Sequence, residues 1–173
     1  MAKISSIILN NLKSTSKEKM ENAFNIIYKE YSYLVYYVAL KIVKDNSLAE
    51  DITNETFLNF YVNKDQIDSA KNIKYYLVTT SKNLAINNYK YQNRLVEFST
   101  DIVSEEKPYD HFMDYVNKFK DFLDEYEIDL VVLHLLYDYS FKEIAKQYNV
   151  STSVISSKYR RTIKKVKQYY KGE

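Results

Sequence analysis

The sequence of 173 residues has no cysteine, one glycine, one proline and two histidines. The absence of cysteine excludes disulfide scaffolds, thiolate zinc sites and cysteine nucleophiles, and two histidines provide few ligands for a transition metal. Because the only glycine is Gly172, glycine-rich loops that cradle phosphates are excluded. An all-β fold, which depends on glycine turns, is disfavoured. We therefore expect neither a metal nor a cofactor.

Long apolar runs are also lacking near the N-terminus. The first twelve residues hold one short apolar run, Ile7–Leu9, which is far shorter than a signal-peptide core or a membrane span. We expect a cytoplasmic protein without membrane insertion. The overall composition, 46% hydrophobic and 28% charged, is typical of a globular chain with an apolar core rather than of a disordered one.

The formal net charge of +2 conceals an uneven distribution of charge along the chain. Residues 1–95 have 13 basic and 9 acidic side chains, residues 96–139 have 3 and 12, and residues 140–173 have 9 and 2. Between Asp68 and Glu97 every charged side chain is basic. Most charge runs are solvated helix faces, but basic regions are also the electrostatic footprint of nucleic-acid binding.

Apolar residues recur at helical spacing nearly throughout the chain. Capping-box patterns, in which Ser or Thr precedes Glu by three residues, predict helix starts at Thr15, Ser47 and Ser140. The polar segment Asn63–Asn72 predicts a loop before a third long helix, which runs from Ile73 to about residue 91. The sequence therefore predicts an all-α protein.

Two domains are predicted because helical spacing stops between Glu97 and Asp110. This stretch is acidic and contains Pro108, as a linker between two bodies would. After it, helical spacing resumes, and residues 128–137 are apolar nearly all round, as in a buried helix. We place one small helical domain at residues 1–95, the acidic linker at 96–111 and a second small helical domain at 112–173.

The second domain has the pattern of a helix-turn-helix. The first helix, FKEIAKQY, begins at the Ser140 capping box and has a small residue, Ala145, where a second helix can cross closely. Asn149 follows at the turn, where a residue that tolerates the left-handed region is needed. We expect Val150 to pack into the turn and Ser151 to cap the second helix.

The second helix, from residue 152 onwards, has one apolar and one polar face. Its apolar face begins at Val154 or Ile155, and its other face carries short polar groups followed by cations. The polar groups can approach base edges, and the cations can reach phosphates. The predicted DNA-contacting residues of this helix are Thr152, Ser153, Ser156, Ser157, Lys158, Arg160, Arg161 and Lys164.

The first domain offers two further surfaces. In the helix after Ser47, Asp51 and Glu55 are four residues apart and share a face, which can dock against a basic partner. The next helix combines cations, amides and tyrosines, among them Tyr75 and Tyr76, and we expect Tyr76 to lie partly in the core. Aromatic rings among cations and amides are typical of single-stranded DNA binding, because they stack on unpaired bases.

Three segments in this order resemble the extracytoplasmic-function group of bacterial sigma factors, the small two-domain members of the sigma-70 class. They are AEDITNETFLNFYV at 49–62, YYLVTTSKNLAINNYKYQNR at 75–94 and YSFKEIAKQYNVSTSVISSKYRR at 139–161. The resemblance covers roughly residues 23–170. It implies a subunit that binds the RNA polymerase core and directs initiation by recognising and melting the −10 and −35 promoter elements.

The resemblance also implies which residues act. The first segment resembles the helix that binds the clamp helices of the polymerase β′ subunit, through Glu50, Asp51, Asn54, Glu55 and Phe57. The loop at 63–72 lies where the family captures a flipped base, and the second segment resembles the helix that contacts the −10 element. The −10 residues implied are Asn63, Lys71, Asn72, Lys74, Tyr75, Lys82, Asn83, Asn87, Lys90 and Arg94.

The partners implied are the polymerase core, through its β′ and β subunits, and promoter DNA in both double-stranded and melted form. An anti-sigma protein or another recruiting factor is a further candidate. The alternative function is a stand-alone helix-turn-helix regulator with an N-terminal dimerisation or sensing module. An enzyme is disfavoured, because His111 and His134 are the only histidines and no nucleophile, base and oxyanion set can be assembled around them.

Overall fold

The computed structural model describes residues 5–92 and 109–171, without the side chains of residues 91, 92, 110 and 111. The chain divides into two compact units, Met1–Val103 and Ser104–Glu173. Within the described ranges every regular element is helical, which confirms the all-α prediction. The predicted linker at 96–111 falls mostly outside the described residues, so its limits remain a prediction. No described helix is long and apolar enough to cross a bilayer.

The described part of the first unit, residues 5–92, contains four α-helices. They are α1 (Ser6–Leu12), α2 (Lys17–Val43), α3 (Asn46–Val62) and α4 (Ala70–Gln92), with a 3-10 turn at Lys64–Gln66. Helix α2 lies at the centre and packs on α1, α3 and α4. The core that they share is apolar and includes Leu9, Leu12, Ala23, Ile27, Val35, Phe57, Phe60, Ile67, Ile73 and Leu77.

Buried hydroxyl groups inside this unit are paired with backbone carbonyls. The hydroxyls of Thr53 and Thr56 donate to the carbonyls of Ala49 and Ile52, each over 2.7 Å. Ser81 of α4 donates to Val35 O of α2 over 3.0 Å. Because a buried hydroxyl without a partner is destabilising, these bonds allow polar residues to face the core, and the Ser81 bond fixes α4 against α2.

Two of the three predicted capping boxes are wrong. Helix α3 is capped by Asp45, whose carboxylate accepts the Leu48 N–H over 2.7 Å, so the helix begins before Ser47. Helix α2 follows Ser16 rather than Thr15, and no side chain caps it. An aspartate two residues ahead of the Ser47 pattern reaches the first-turn N–H groups earlier, and its negative charge also suits a helix N-terminus.

Helix α1 was not predicted from the sequence. Its seven residues bury Leu9 and Leu12 against α2 and α4. Lys13, which follows the helix, donates from Nζ to Asp65 O over 3.0 Å and so joins α1 to the 3-10 turn. A helix this short is marginal in isolation. Its stability therefore comes from the tertiary packing of two leucines.

Residues 109–171, which the structure describes in the second unit, also contain four α-helices. They are α5 (Asp110–Lys120), α6 (Glu125–Leu130), α7 (Phe141–Tyr148) and α8 (Thr152–Tyr169), with a π-helical segment at Val131–Leu136 after α6. Residues 128–133 are buried as predicted, but Leu135 and Leu136 are exposed, so the burial expected up to residue 137 is interrupted.

His134 is a structural residue of this unit. Its Nδ1 donates to Tyr139 O over 2.6 Å. Its ring packs on Phe141 and Tyr159, with centroid separations of 4.3 and 4.6 Å. These contacts tie the π-helical segment to α7 and α8. The His111 side chain lies outside the described residues.

Candidate functional site

One face of α4 carries most of the residues predicted to contact the −10 element. Ile73, Leu77, Ser81 and Ala85, spaced by four, form its buried row. The opposite face is exposed and holds Lys71, Asn72, Tyr75, Lys82, Asn83, Asn87 and Lys90. Since cations, amides and an aromatic ring share this face, it can attract phosphates and stack on bases.

Two members of the predicted −10 set lie elsewhere, and a third is not described. Asn63 is half-buried at the end of α3, where its amide donates to Asn59 O over 2.8 Å. Lys74 is half-buried, on the side of the buried row of α4. Arg94 lies outside the described residues.

A cavity of about 430 Å³ opens beside this face, where the 3-10 turn meets the first turns of α4. Tyr75 lies at its edge with 73% of its surface exposed. Tyr76 lies deeper, where its hydroxyl donates to Asn59 O over 3.2 Å and its ring packs on Phe60, as the expected partial burial requires. The cavity is lined by Gln66, Ile67, Asn72, Tyr75, Tyr76, Thr79 and Thr80.

This lining suits an unpaired base. Tyr75 provides an exposed ring for stacking, and Asn72 and Gln66 have amides that can pair with base edges. Gln66, Thr79 and Thr80 were not among the residues predicted from the sequence. Thr79 could have been found, because it follows Tyr75 by four residues and therefore shares its helix face.

The predicted polymerase-binding residues of α3 divide between its two sides. Asp51, Asn54 and Glu55 are exposed on one face, and Glu50 is half-buried. Phe57 is a correction: only 2% of its surface is exposed, because its ring packs on Phe24 and Tyr28 in the core. Phe57 therefore packs α3 against α2 and is not exposed to a binding partner.

The exposed face of α3 continues into apolar residues that were not predicted from the sequence. Leu58 and Val62 follow Glu55 at helical spacing and are about two-thirds exposed. Exposed apolar patches that are rimmed by polar residues mark protein contact surfaces. Together, Asp51, Asn54, Glu55, Leu58 and Val62 form what we call the α3 docking face.

The predicted helix-turn-helix is confirmed in the second unit. Ser140 and Glu143 form the reciprocal capping box of α7. The helix ends at Asn149 with φ of 53°, in the left-handed region that the sequence predicts there. The Val150 N–H donates to Ala145 O over 3.0 Å, which closes the helix end as in a Schellman motif. Ser151 then caps α8.

Two valines of this motif are more exposed than the sequence pattern predicts. Ile155, not Val154, begins the buried face of α8, and Val154 is 49% exposed. Val150, which was expected to pack into the turn, is 40% exposed. Its backbone holds the turn, through the bond to Ala145, while its side chain faces solvent.

The outer face of α8 brings together most of the predicted DNA-contacting residues. Six of them are exposed and one, Ser156, is half-buried. Arg161 donates from Nε to Ser157 O over 3.3 Å, which holds the base of its guanidinium along the helix. The six exposed residues are Thr152, Ser153, Ser157, Arg160, Arg161 and Lys164.

Lys158 differs from the other predicted residues, because its side chain is half-buried and forms ion pairs inside the domain. Its Nζ lies 2.9 Å from Asp124 Oδ2 and 3.3 Å from Glu127 Oε1, so it pairs with the start of α6 inside the domain. Bonding to Asp124 raises the pKa of Lys158. Its charge is therefore used within the unit.

Glu127 is the centre of this ion network. Its side chain is almost wholly buried, accepts from Lys165 Nζ at both oxygens over 2.8 Å, and also accepts the Asp124 N–H. Burial alone would raise the pKa of Glu127, but the bonds from Lys165, Asp124 and Lys158 outweigh it and hold the pKa below its usual value. The network joins α6 to α8, the helix of the proposed DNA face.

A second polar contact joins α6 to α7. The Tyr148 hydroxyl donates to the buried Asp129 carboxylate. Burial and this hydrogen bond both raise the pKa of Tyr148. The helix-turn-helix is thus fixed to α6 at two points, one on each of its helices.

Comparison with known proteins identifies both units. Residues 27–95 match the family model described as Sigma-70 region 2, and residues 121–168 match the one described as Sigma-70, region 4. The chain is also similar to the ECF RNA polymerase sigma factor SigM of Bacillus subtilis (strain 168), with 32% identity over 77 residues. That alignment covers 44% of this chain and 47% of SigM, so the chain spans about half the length of the curated relative it matches.

Proposed function

We propose, from the premise that this chain belongs to the extracytoplasmic-function group of the sigma-70 family, that it binds the RNA polymerase core and directs promoter-specific initiation. One observation supports the proposal: each matched range contains a surface that suits the binding proposed for it. The region 2 match contains the α3 docking face and the α4 face, and the region 4 match contains the helix-turn-helix.

Core binding is assigned to the α3 docking face. Asp51 and Glu55 provide negative charge, and Leu58 and Val62 provide apolar area at one end of the same face. The proposed partner is the pair of β′ clamp helices, with charge giving orientation and apolar contact giving affinity. Glu50 adds charge at the margin of the face.

Recognition of melted DNA is assigned to α4 and its cavity. Lys71, Lys82 and Lys90 attract the phosphates of the strand, and Tyr75 stacks on a base that has left the duplex. The amide of Asn72 lies at the cavity and can read the edge of that base. The proposed target is the −10 element in its strand-separated form.

Recognition of duplex DNA is assigned to α8. Its first turn carries Thr152 and Ser153, which can reach base edges in the major groove, and Arg160, Arg161 and Lys164 follow toward the phosphates. The proposed target is the −35 element. Since each surface alone binds weakly, joining both to one polymerase raises their effective concentration and demands a fixed spacing between the elements.

The decisive experiment is reconstitution with purified bacterial core polymerase, followed by run-off transcription. We expect the chain to bind core and to start transcripts at defined positions. A stand-alone regulator would give neither result. Charge reversal by Asp51→Lys with Glu55→Lys should abolish core binding while the fold persists, because both side chains are exposed.

A matched control comes from the second unit. Asp121→Lys with Glu125→Lys changes the net charge equally at exposed positions far along the chain from α3. It should leave core binding through region 2 intact. Unchanged core affinity in the α3 double variant would remove α3 from the interface.

An anti-sigma protein or another recruiting factor, acting in the cytoplasm, is the proposed regulatory partner.

A further inference from the structure

The first turn of α8 presents an apolar side chain to solvent. Val154 is the third residue of the helix, and about half of its surface is exposed while the next residue, Ile155, is fully buried. Isolated exposed apolar residues are common on protein surfaces. The position of Val154, and not its exposure alone, therefore carries the inference.

Val154 lies among the residues assigned to the DNA face. Residues three, four and seven positions along a helix share its side, and for Val154 these are Ser157, Lys158 and Arg161. Lys158 is held by Asp124, which leaves the side toward Ser157 and Arg161 open. A recognition helix places its N-terminal residues against base edges, so Val154 comes to the floor of the major groove.

The major groove presents few apolar groups, and the one characteristic of a base is the C5-methyl of thymine. A β-branched side chain in a helix is nearly fixed at χ1, so Val154 loses little freedom on contact. We propose that Val154 is a specificity-determining residue that packs on a thymine methyl in the upstream promoter element. This inference rests on the proposed function, because it requires α8 to enter the major groove.

The test removes the C5-methyl group of thymine and leaves the rest of the base unchanged. A promoter is first selected from random duplexes with core polymerase reconstituted with the full chain. Each thymine of the upstream element, on both strands, is then replaced by deoxyuridine, which lacks only the methyl. We expect one or two positions to weaken holoenzyme binding roughly fourfold, about the factor for burying one methyl-sized group.

In holoenzyme that carries Val154→Ala, the deoxyuridine replacements at those positions should leave binding unchanged. The matched control is Val150→Ala, since Val150 is similarly exposed but lies in the turn, outside α8. The control should keep the wild-type pattern. Val154→Thr, which keeps the shape and replaces one methyl by a hydroxyl, should also lose part of the sensitivity and serves as a second variant if alanine perturbs the helix start.

Three results would overturn the proposal. The first is a selected upstream element that has no thymine on either strand. The second is a wild-type scan in which no deoxyuridine replacement weakens binding. The third is a scan in which the replacements weaken binding of the Val154→Ala holoenzyme as much as they weaken binding of the wild type. If Arg160→Ala still weakens binding in any of these cases, the proposed function stands and only the role of Val154 fails. If the chain does not bind core, both fail together.

Discussion

Glu127→Gln is the substitution that tests the ion network of the second unit most directly. The glutamine keeps the shape and can still accept the Asp124 N–H, but it removes the negative charge that faces Lys165 and Lys158. Because an amide has one acceptor oxygen, one of the two hydrogen bonds from Lys165 is lost and the other is weakened. The ion pairs of Glu127 with Lys158 and Lys165 are both lost. The ion pair that still joins the start of α6 to α8 is then Lys158–Asp124.

The expected loss follows from the exposure of the two lysines. Breaking a fully buried ion pair costs about 3–5 kcal/mol, and a hydrogen bond to a charged group contributes about 1.5–3 kcal/mol. Lys165 is half-exposed and Lys158 keeps Asp124, so neither cation is stranded. We therefore expect Glu127→Gln to lower the free energy of unfolding of the second unit by about 2 kcal/mol. For a domain of this size that lowers the melting temperature by about 8–16 °C.

The effect should also depend on pH. Because hydrogen bonds hold the pKa of Glu127 below its usual 4.5 in the folded protein, its carboxylate stabilises the fold above that value. This contribution is lost as the pH falls through the lower folded pKa. Wild-type stability should therefore decline more steeply under acid than that of Glu127→Gln, in which the titrating group is absent.

Hydrogen exchange followed by mass spectrometry separates the two units, because peptides from α6 and α8 report apart from those of α2–α4. A loss of about 2 kcal/mol corresponds to roughly thirtyfold faster exchange where exchange requires opening of the unit. The control is Glu125→Gln, an exposed glutamate in the same first turn of α6. Equal exchange in the two variants would refute the assigned role of the ion network.

Three further predictions concern single side chains. Tyr75→Ala should weaken binding of holoenzyme to single-stranded −10 DNA by about 1–3 kcal/mol in fluorescence anisotropy, while Tyr75→Phe retains the stacking. Arg160→Ala should lower the slope of log affinity against log salt by about one for the upstream duplex, and an unchanged slope would exclude a phosphate contact. Leu12→Ala should destabilise the first unit by about 2–5 kcal/mol in urea unfolding, because Leu12 is fully buried.

Local signals made the helix-turn-helix predictable. The Ser140 capping box, the left-handed Asn149 and the Ser151 cap lie within twelve residues, and each acts on its own neighbours. Helix α1 has no such signal. Its seven residues are held by Leu9 and Leu12 in a core built from distant parts of the chain, which no window of sequence reveals.

Two side chains of the candidate site have surroundings that the sequence did not predict, each for a different reason. Lys158 has the spacing of a phosphate contact, but its partners Asp124 and Glu127 lie more than thirty residues earlier, so only the folded structure shows the pairing. Phe57 was selected by resemblance, which gives residue type but not the side of the helix. Its separation from Phe60 and Thr53, three and four residues, does indicate the buried side.

The packing of α1 has a practical consequence for fragments of this protein. The family match for region 2 starts at residue 27, which suggests expressing a fragment that begins near that residue. Such a fragment would lack α1 and the first turns of α2. It would expose the sites of Leu9 and Leu12 to water and lose the hydrogen bond from Lys13 to the 3-10 turn. A minimal region 2 fragment should therefore retain the chain from Ser5 onward, and an affinity tag belongs ahead of that residue rather than in its place.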